Sequence, residues 1–388
     1  MYLPNFRAQN SSPSFGEFGF FLYLRSKILK TKDYEEKVFI LDNGRDEMVT
    51  VKIYEKAAEV PEMTCEDFFH STELMAVLEA TPRQRPLMVV AFDDAAPDGS
   101  TAEKHVVAHM LVTVRTRRSW LPPYIYMHAR VLGEGEYVAE GNADDTPAAA
   151  ASRKDELFAA MLKAVKKRLN NKVLYFEISN ISEKMFGYRT LRKAEFFPVK
   201  WMKVHNSLHS RTPEERISPR LLKRIDAATR RGIYTKAVET DEEFRQFSKL
   251  MHHHHWLKPR RFIPADQLFR GLMDSGHAKL FVSKYKQKVI GCSILVYSGK
   301  DAYLWYSAAK RKSYAPLHPN AVTYWHTIRD AHAEGWEHIR FMDVGLPFRK
   351  NPHREFILKF GGKEVSAYRW FHISIRWINA LATWLWRE

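Results

Sequence analysis

Cysteine is nearly absent from this chain, with only Cys65 and Cys292 in 388 residues. They lie in different halves and in apolar or helical contexts, so neither a disulfide framework nor a zinc site is expected, and a reducing cytoplasm fits. No apolar run approaches the length needed to span a bilayer, and the stretch before Phe15 lacks the charge-then-apolar layout of a signal peptide. A cytoplasmic protein is the expectation. Acids are also in deficit: 45 Asp and Glu against 61 Lys and Arg leave a net charge of +16. That excess points to an anionic partner, whether nucleic acid, phosphorylated cofactor or anionic membrane surface, and does not choose among them. Apolar residues, by contrast, make up 45% of the chain, enough at this length to fill two cores.

The clearest order runs from Asp301 to Gly362. Asp301–Ala309 is an aromatic-rich run of strand type. A basic, turn-forming loop from Lys310 to Pro319 leads into a helix that Asn320 can cap. Ala321, Trp325, Ile328 and His332 recur there at i, i+4, i+7 and i+11, and Gly335 suits its stop. His338–Met342 reads as a second strand ending at Asp343-Val344-Gly345, before Phe356 to Gly362 closes the stretch. Strand, loop, helix and parallel strand make a crossover unit, and ligands of open α/β sheets sit beyond the C-terminal ends of such strands. Chemistry is therefore expected in the loop before the helix and just after Met342.

Upstream, Phe18–Leu24 with Arg25, Lys27, Lys30 and Lys32 suits either a membrane surface or an element packed on the first domain. Val38–Leu41 and Val49–Tyr54, across Asp42-Asn43-Gly44, predict a hairpin. A helix is predicted from Thr64 to about Ala80, with Thr64 and Asp67 as a capping box. Strands follow over Leu87–Phe92, His105–Val114 and Tyr124–Leu132, then an acidic small-residue loop over Gly141–Ala151 and a helix over Arg153–Leu169. Lys172–Ile178 is a strand, Glu183–Lys193 a short helix and Phe196–Val204 a strand; His205–Pro219 is linker-like and Leu221–Gly232 a basic helix. The order then repeats: strand at Ile233–Ala237, helices at Asp241–His254 and Pro264–Ser275, three strands ending at Ala309, helix, strand, short helix, strand. Residue identity between the halves is slight, so one architecture is used twice.

That order is similar to the acetyltransferase-like (GNAT) fold, and two copies in one chain resemble the FemABX family of peptidyl and aminoacyl transferases. Four stretches carry the resemblance: Phe68-Phe69-His70-Ser71; the basic helix ending Ala227-Ala228-Thr229-Arg230-Arg231-Gly232; Leu317-His318-Pro319-Asn320 with Trp325, Ile328, Gly335 and Met342-Asp343-Val344-Gly345; and Phe356–Gly361. The resemblance implies an α/β chain of two tandem GNAT-like (acyl-CoA N-acyltransferase) domains, each a mixed central sheet flanked by helices. The first would span 1–205, with an extension over 1–48, and the second 206–388 with a Trp/Arg-rich tail. Two departures stand out. Where the family signature has Lys after its first Phe, this chain has Ile357, with Lys359 two positions on. The second copy also lacks an obvious helical hairpin of the kind several aminoacyl-transferring members use to hold tRNA.

Acyl transfer to an amine needs a deprotonated nitrogen, a stabilised carbonyl oxygen and aligned reactants; backbone amides supply much of this, and the sequence shows no compact triad. Asp343, at a strand end, is the candidate proton acceptor, with capping of the following loop as its plainer role. Lys359 can contact phosphate or a developing oxyanion, or simply be solvated. Tyr306, Tyr314 and His318 flank the same opening, Asn320 opens the helix, and Phe356 and Phe360 belong to the signature segment; all are candidate substrate contacts. Arg130-Val131-Leu132-Gly133-Glu134-Gly135 matches the Arg-x-x-Gly-x-Gly pattern that cradles coenzyme A pyrophosphate, although a strand-ending turn explains it as well. His252–His255 are consecutive on a predicted helix and cannot all ligate one metal, so no metal is expected; substrate contact together with Lys258, Arg260 and Arg261 is the alternative. From Tyr368 to Trp386, tryptophans alternate with Arg369 and Arg376, which suits a membrane headgroup layer or a packed strand and helix.

The expected function is an acyltransferase that forms an amide on an amine acceptor in cell-envelope biosynthesis. The resemblance implies a peptidoglycan precursor as acceptor and aminoacyl-tRNA as donor, with no tightly bound cofactor. An acyl-CoA or acyl-carrier-protein donor with a lipid amine acceptor is the enzymatic alternative, favoured by Ile357 and the Trp-rich tail. A lipid-linked acceptor would put 368–387 peripherally on the inner face of the plasma membrane. A basic, non-catalytic module for RNA or membrane is the reading from another class.

Overall fold

The computed structural model describes residues 39–42, 48–93, 105–119, 124–138, 147–256, 263–342 and 344–386. Phe18–Leu24, the turn residues Asn43 and Gly44, the loop from Gly141 to Thr146, Arg260, Arg261 and Asp343 lie outside the described residues.

The first lobe begins with the antiparallel hairpin of β1 (Phe39–Asp42) and β2 (Met48–Tyr54). It continues through α1 (Thr72–Glu79), β3 (Gln84–Asp93), β4 (His105–Ser119), β5 (Tyr124–Leu132), β6 (Glu136–Tyr137), α2 (Pro147–Leu169), β7 (Tyr175–Ser179), α3 (Tyr188–Lys193) and β8 (Phe197–Ser207). α4 (Pro213–Arg216) and α5 (Pro219–Arg230) connect it to the second lobe. That lobe contains β9 (Tyr234–Ala237), α6 (Asp241–Trp256), α7 (Asp266–Asp274), β10 (Ala278–Tyr285), β11 (Lys288–Ser298), β12 (Asp301–Ala309), α8 (Pro319–Ala333), β13 (His338–Phe341), α9 (Pro352–Ile357), β14 (Lys363–Ile373) and α10 (Arg376–Leu385).

Among the described residues all strands join one 14-stranded sheet, ordered β1-β2-β3-β4-β5-β7-β14-β8-β13-β12-β11-β10-β9, with β6 added on β4. Its centre is an exchange. β14, the last strand of the second lobe, lies between β7 and β8 of the first, and β8 lies between β14 and β13. The β8–β14 ladder is antiparallel from Lys363↔His205 to Phe371↔Phe197. Trp370 of β14 is fully buried in the first lobe's core, edge-on to Tyr188 at 5.2 Å. A second-lobe strand thus completes the first lobe's packing.

Three large cores follow from the patterns of apolar residues, beside a smaller one where Ile378 and Ala382 of α10 meet Phe197 and Phe371. α2 lays Leu157, Phe158, Met161 and Val165 on one outer face of the sheet. α5 and α8 lay Ile225, Ala321, Trp325 and Ile328 on the same face of the sheet at the second lobe. Between the lobes, Met75 and Leu78 of α1 share a core with Phe247 and Met251 of α6, Phe269 of α7 and Trp305 of β12. Gly271 allows α7 to approach α1, since a Cβ there would come within 2.8 Å of Val77 Cγ1.

Several helix starts differ from the sequence expectation. α1 begins at Thr72, capped by Ser71 Oγ accepting from Leu74 N–H at 3.0 Å; Thr64 and Asp67 make no capping box. Asp67 instead caps the 3-10 turn Phe68–His70, accepting from Phe69 N–H at 2.9 Å. At α8 the capping position is His318, with φ 41°, and Asn320 sits inside the first turn, because Pro319 is already helical. α2 also starts earlier, at Pro147, so the residues 147–151 assigned to a loop are helical.

Candidate active site

β12 and β13 pair in parallel from Asp301↔His338 to Leu304↔Phe341, after which β12 continues to Ala309 paired with β11. A bulge between the Ile294 and Leu295 pairings of β11 and β12 coincides with that parting. It turns both Trp305 and Tyr306 towards the interlobe core, while Ser307 turns to α8, with its Oγ 2.8 Å from Tyr324 Oη. The C-terminal ends of parallel strands, facing the start of a crossover helix, are the usual ligand position of an open α/β sheet. The equivalent place in the first lobe is bridged. There Gly133 N–H donates to Ser179 O at 2.8 Å, holding β5 and β7 together past their last pair.

This bears on the Arg-x-x-Gly-x-Gly stretch. Gly133 and Gly135 have φ of 102° and 97°, and a Cβ would meet His70 Nε2 at 2.9 Å and His109 O at 2.8 Å respectively. Gly135 N–H donates to His70 Nε2 at 3.1 Å. These glycines serve a tight turn packed on buried histidines, with the amides committed within the protein.

One face of the central strands carries a charged seam that runs from lobe to lobe. Arg130 Nε and Arg369 Nη1 each lie 3.4 Å from Glu177 Oε1, and the Arg369 guanidinium stacks over the Trp201 ring at 3.9 Å. Arg115 is buried at one end, within electrostatic reach of Arg130, Glu177 and, across the lobes, Tyr306. Lys203 of β8 continues the row; its ammonium donates to Ile181 O and feels Arg340 and Arg369. At the far end Asp301 accepts from Arg340 Nε at 2.8 Å and contacts His338 Nδ1 at 2.9 Å. β14 supplies Arg369 and β8 supplies Lys203, so the strand exchange is what assembles the row.

Burial shapes the protonation states. It lowers the Lys203 ammonium to about 8, helped by Arg340. It also holds the His128 imidazole near 2, with Arg115, Arg117 and Arg130 adding to the effect. His128 is thus neutral at physiological pH, stacked on Tyr175 at 4.9 Å. The seam offers fixed positive charge, an uncharged imidazole and an amine close to losing its proton.

The residues expected from sequence are only partly gathered here. Tyr306 is buried at the seam's Arg115 end, 5.8 Å from the Phe269 ring. Phe356 and Phe360 pack on Tyr324 at 5.2 and 5.9 Å, forming the wall behind Ser307, and Phe360 is buried. His318 lies apart, facing Arg224 and Arg231 of the α5 end; burial, with those charges, lowers its pKa. Tyr314 packs edge-on to Tyr285 at 6.3 Å, at the end of β10. Lys359 is exposed, with its backbone O accepting from Ser218 N–H at 2.7 Å. Asn320 is half-buried in α8. His252 Nε2 pairs with Asp266 Oδ1 at 2.8 Å. Sequence reasoning misses Arg115, Glu177 and Lys203, and assigns Arg369 to the Trp/Arg-rich tail instead of this seam. Their signal is an ionisable residue inside an otherwise apolar strand, as in Tyr-Phe-Glu-Ile-Ser over 175–179.

Residues 219–350, about a third of the chain, match the acetyltransferase (GNAT) domain family. The second lobe is a GNAT domain. The match covers the lobe whose strands part, and not the one where they are bridged. The solved structure of FemX is similar over 84% of this chain and 96% of its own, at 12% identity and a TM-score of 0.54. The chain therefore has a FemX-like fold of two GNAT-like lobes in tandem. L-PGS from Bacillus licheniformis aligns over 81% of this chain and 93% of its own, at 11% identity and a TM-score of 0.49. A tandem GNAT protein from the clavulanic acid biosynthesis pathway aligns over 82% and 91%, at 9% identity and a TM-score of 0.46. No curated protein matches the chain by sequence. The GNAT domain identifies the chain as an acyltransferase enzyme.

Proposed function

We propose that this GNAT-fold enzyme forms an amide on the amine of an anionic, lipid-linked acceptor in cell-envelope biosynthesis. The observation that carries the reading is the seam: Arg130 and Arg369 flank the carboxylate of Glu177, Arg115 lies within its electrostatic reach, and Lys203 extends the row towards Arg340 and Asp301, on strands contributed by both lobes. Such a row suits phosphate or carboxylate groups of an acceptor laid across the lobes. It leads towards Ser307 and Tyr324 at the C-terminal ends of β12 and β13, where an activated carbonyl is to be met. Asp343, which follows β13, is proposed as the proton acceptor from the amine, and Arg260, Arg261 and Lys359 as contacts to the donor or acceptor phosphates.

α10 supports the lipid-linked acceptor. Ile378 and Ala382 are buried, whereas Trp377 and Trp384 are each 60% exposed and share an outer face with Leu381 and Leu385. Phe348, also exposed, reaches Trp386 at a ring distance of 6.2 Å. Tryptophan on the outer face of an amphipathic helix, in a strongly basic chain, suits a bilayer interface.

Two donors are weighed. Aminoacyl-tRNA follows from the FemABX resemblance. An acyl-CoA or acyl-carrier-protein donor is favoured by Ile357, which is 0% exposed within the second lobe's core, where a lysine would bury its ammonium. The deciding experiment offers purified protein a lipid-linked amine acceptor with charged tRNA, acyl-CoA and acyl-carrier protein in separate reactions, reading amide formation by mass spectrometry. Product with one donor assigns it. No product with any donor, together with nucleic-acid binding that vanishes at moderate salt, would replace the reading with a non-catalytic binding module.

A further inference from the structure

Cys65, His109 and Glu136 come from three separated stretches: the segment before the 3-10 turn, β4 and β6. Cys65 Sγ lies 3.0 Å from Glu136 Oε2, and His109 Nε2 lies 3.7 Å from the same oxygen. The three donor atoms all fall within 4.8 Å of one another. His109 is 0% exposed, and neither of its ring nitrogens has a hydrogen-bond partner. A buried imidazole with both nitrogens idle is uncommon, because such groups are nearly always satisfied.

The separation of 3.7 Å between Nε2 and the carboxylate is too long for a hydrogen bond. It suits two ligands of one ion. Metal–ligand bonds of about 2.0–2.3 Å at tetrahedral angles put neighbouring donor atoms roughly 3.3–3.6 Å apart. The N···O pair already stands near that spacing, and the S···O pair needs to open by about half an ångström. Backbone amides hold Glu136 in position, with Oε1 accepting from Glu66 N–H at 2.5 Å and Oε2 facing Asp67 N–H at 3.2 Å. The glycines on either side of Glu134 bring this turn close enough, since a side chain at Gly135 would collide with the His109 backbone.

We propose that Cys65, His109 and Glu136 form a binding site for a divalent transition metal of the zinc type, with the fourth position left to solvent. Thiolate, neutral imidazole and carboxylate make a mixed-softness set that suits Zn²⁺ and excludes Mg²⁺ and Ca²⁺. Burial and the adjoining Glu136 push the Cys65 thiol above its usual range, so the metal-free site holds an S–H that donates to Glu136. Binding replaces that hydrogen: Cys–SH and M²⁺ give a thiolate–metal bond and one proton released to solvent, so affinity rises with pH. The ion would anchor the segment that reaches across to the second lobe. Asp67 Oδ1 accepts from Ser298 Oγ at 2.5 Å, Phe68 stacks on His277 at 4.4 Å, and Phe69 packs on Tyr303 at 4.8 Å.

The test is titration of the full chain with Co²⁺, read by absorbance. One equivalent should give tetrahedral d–d bands and a near-ultraviolet thiolate-to-cobalt band. C65S should lose the near-ultraviolet band, while C292S keeps it. His252–His255 can hold Co²⁺ as well, but without sulfur they cannot produce that band. If C65S does not fold, E136Q takes its place and should weaken Co²⁺ affinity about tenfold or more. A wild-type protein with no sulfur band, a band that survives C65S, or unchanged affinity in E136Q overturns the proposal.

Discussion

Replacing Glu177 with Gln keeps the shape of the side chain and removes the one negative charge between Arg130 and Arg369. Both guanidiniums stand 3.4 Å from the same Oε1, and the three side chains are between 11% and 14% exposed. Removing one partner of a buried ion pair destabilises by about 3–5 kcal/mol, because the remaining charge stays desolvated. The residual exposure and the Trp201 ring under Arg369 lower the expectation to roughly 3 kcal/mol. With a urea m-value of about 3 kcal/mol/M, the midpoint should fall by about 1 M at unchanged m. R369Q on its own should also destabilise. In the E177Q/R369Q double variant, part of the loss should be recovered, giving a coupling of about 1 kcal/mol or more. An E177Q midpoint within experimental error of wild type, or strictly additive losses, would show that the seam is not a coupled buried network.

Three further outcomes are expected. Lys203 has a folded pKa of about 8, below its usual range, so its buried ammonium destabilises at neutral pH and the penalty lifts as pH rises through 8 towards 10. K203M should therefore be more stable than wild type by about 1–2 kcal/mol at pH 7, after the loss of the bond to Ile181 O, with the gap closing by pH 10; a gap independent of pH refutes the assignment. W377E/W384E should bind anionic vesicles at least ~30-fold more weakly, about 2 kcal/mol for two half-immersed rings, with catalysis on a soluble acceptor unchanged; wild-type vesicle binding would remove α10 from the membrane reading. Gly291→Ala should lose about 1–3 kcal/mol in thermal melts, since its Cβ would run into Thr323 Oγ1, which is already hydrogen-bonded to Ser283 Oγ at 2.6 Å. An unchanged melting temperature would mean that α8 is loosely packed on β11.

Much of the fold is legible because strands and helices announce themselves by period. The hairpin of β1 and β2, the three successive strands of each lobe and the crossover through α8 all follow from alternation, apolar stripes and turn residues. The start of α1 escapes this reading because Asp67 satisfies a capping pattern within a 3-10 turn, where the true cap is Ser71. What stays hidden is partnership. Period 2 marks β14 as a strand and says nothing of its place between β7 and β8. The seam is hidden for the same reason, since Arg115, Glu177, Lys203 and Arg369 come from four strands far apart in the chain. Arg130 stands out in the sequence as part of either a phosphate cradle or a strand-ending turn, and the paths of the Gly133 and Gly135 amides agree with the turn.

The interleaving of β8 and β14 also governs how the molecule can be made. During synthesis the first lobe emerges with a slot beside β7 that stays vacant until β14 is translated. At ~5–20 residues per second, the stretch from Ser207 to Lys363 takes on the order of 8–30 s to appear. Through that interval the nascent lobe presents two unpaired strand edges, an invitation to strand capture by a neighbouring ribosome's product. Emergence of β14, and not completion of the first lobe's own sequence, is then the event that closes the sheet.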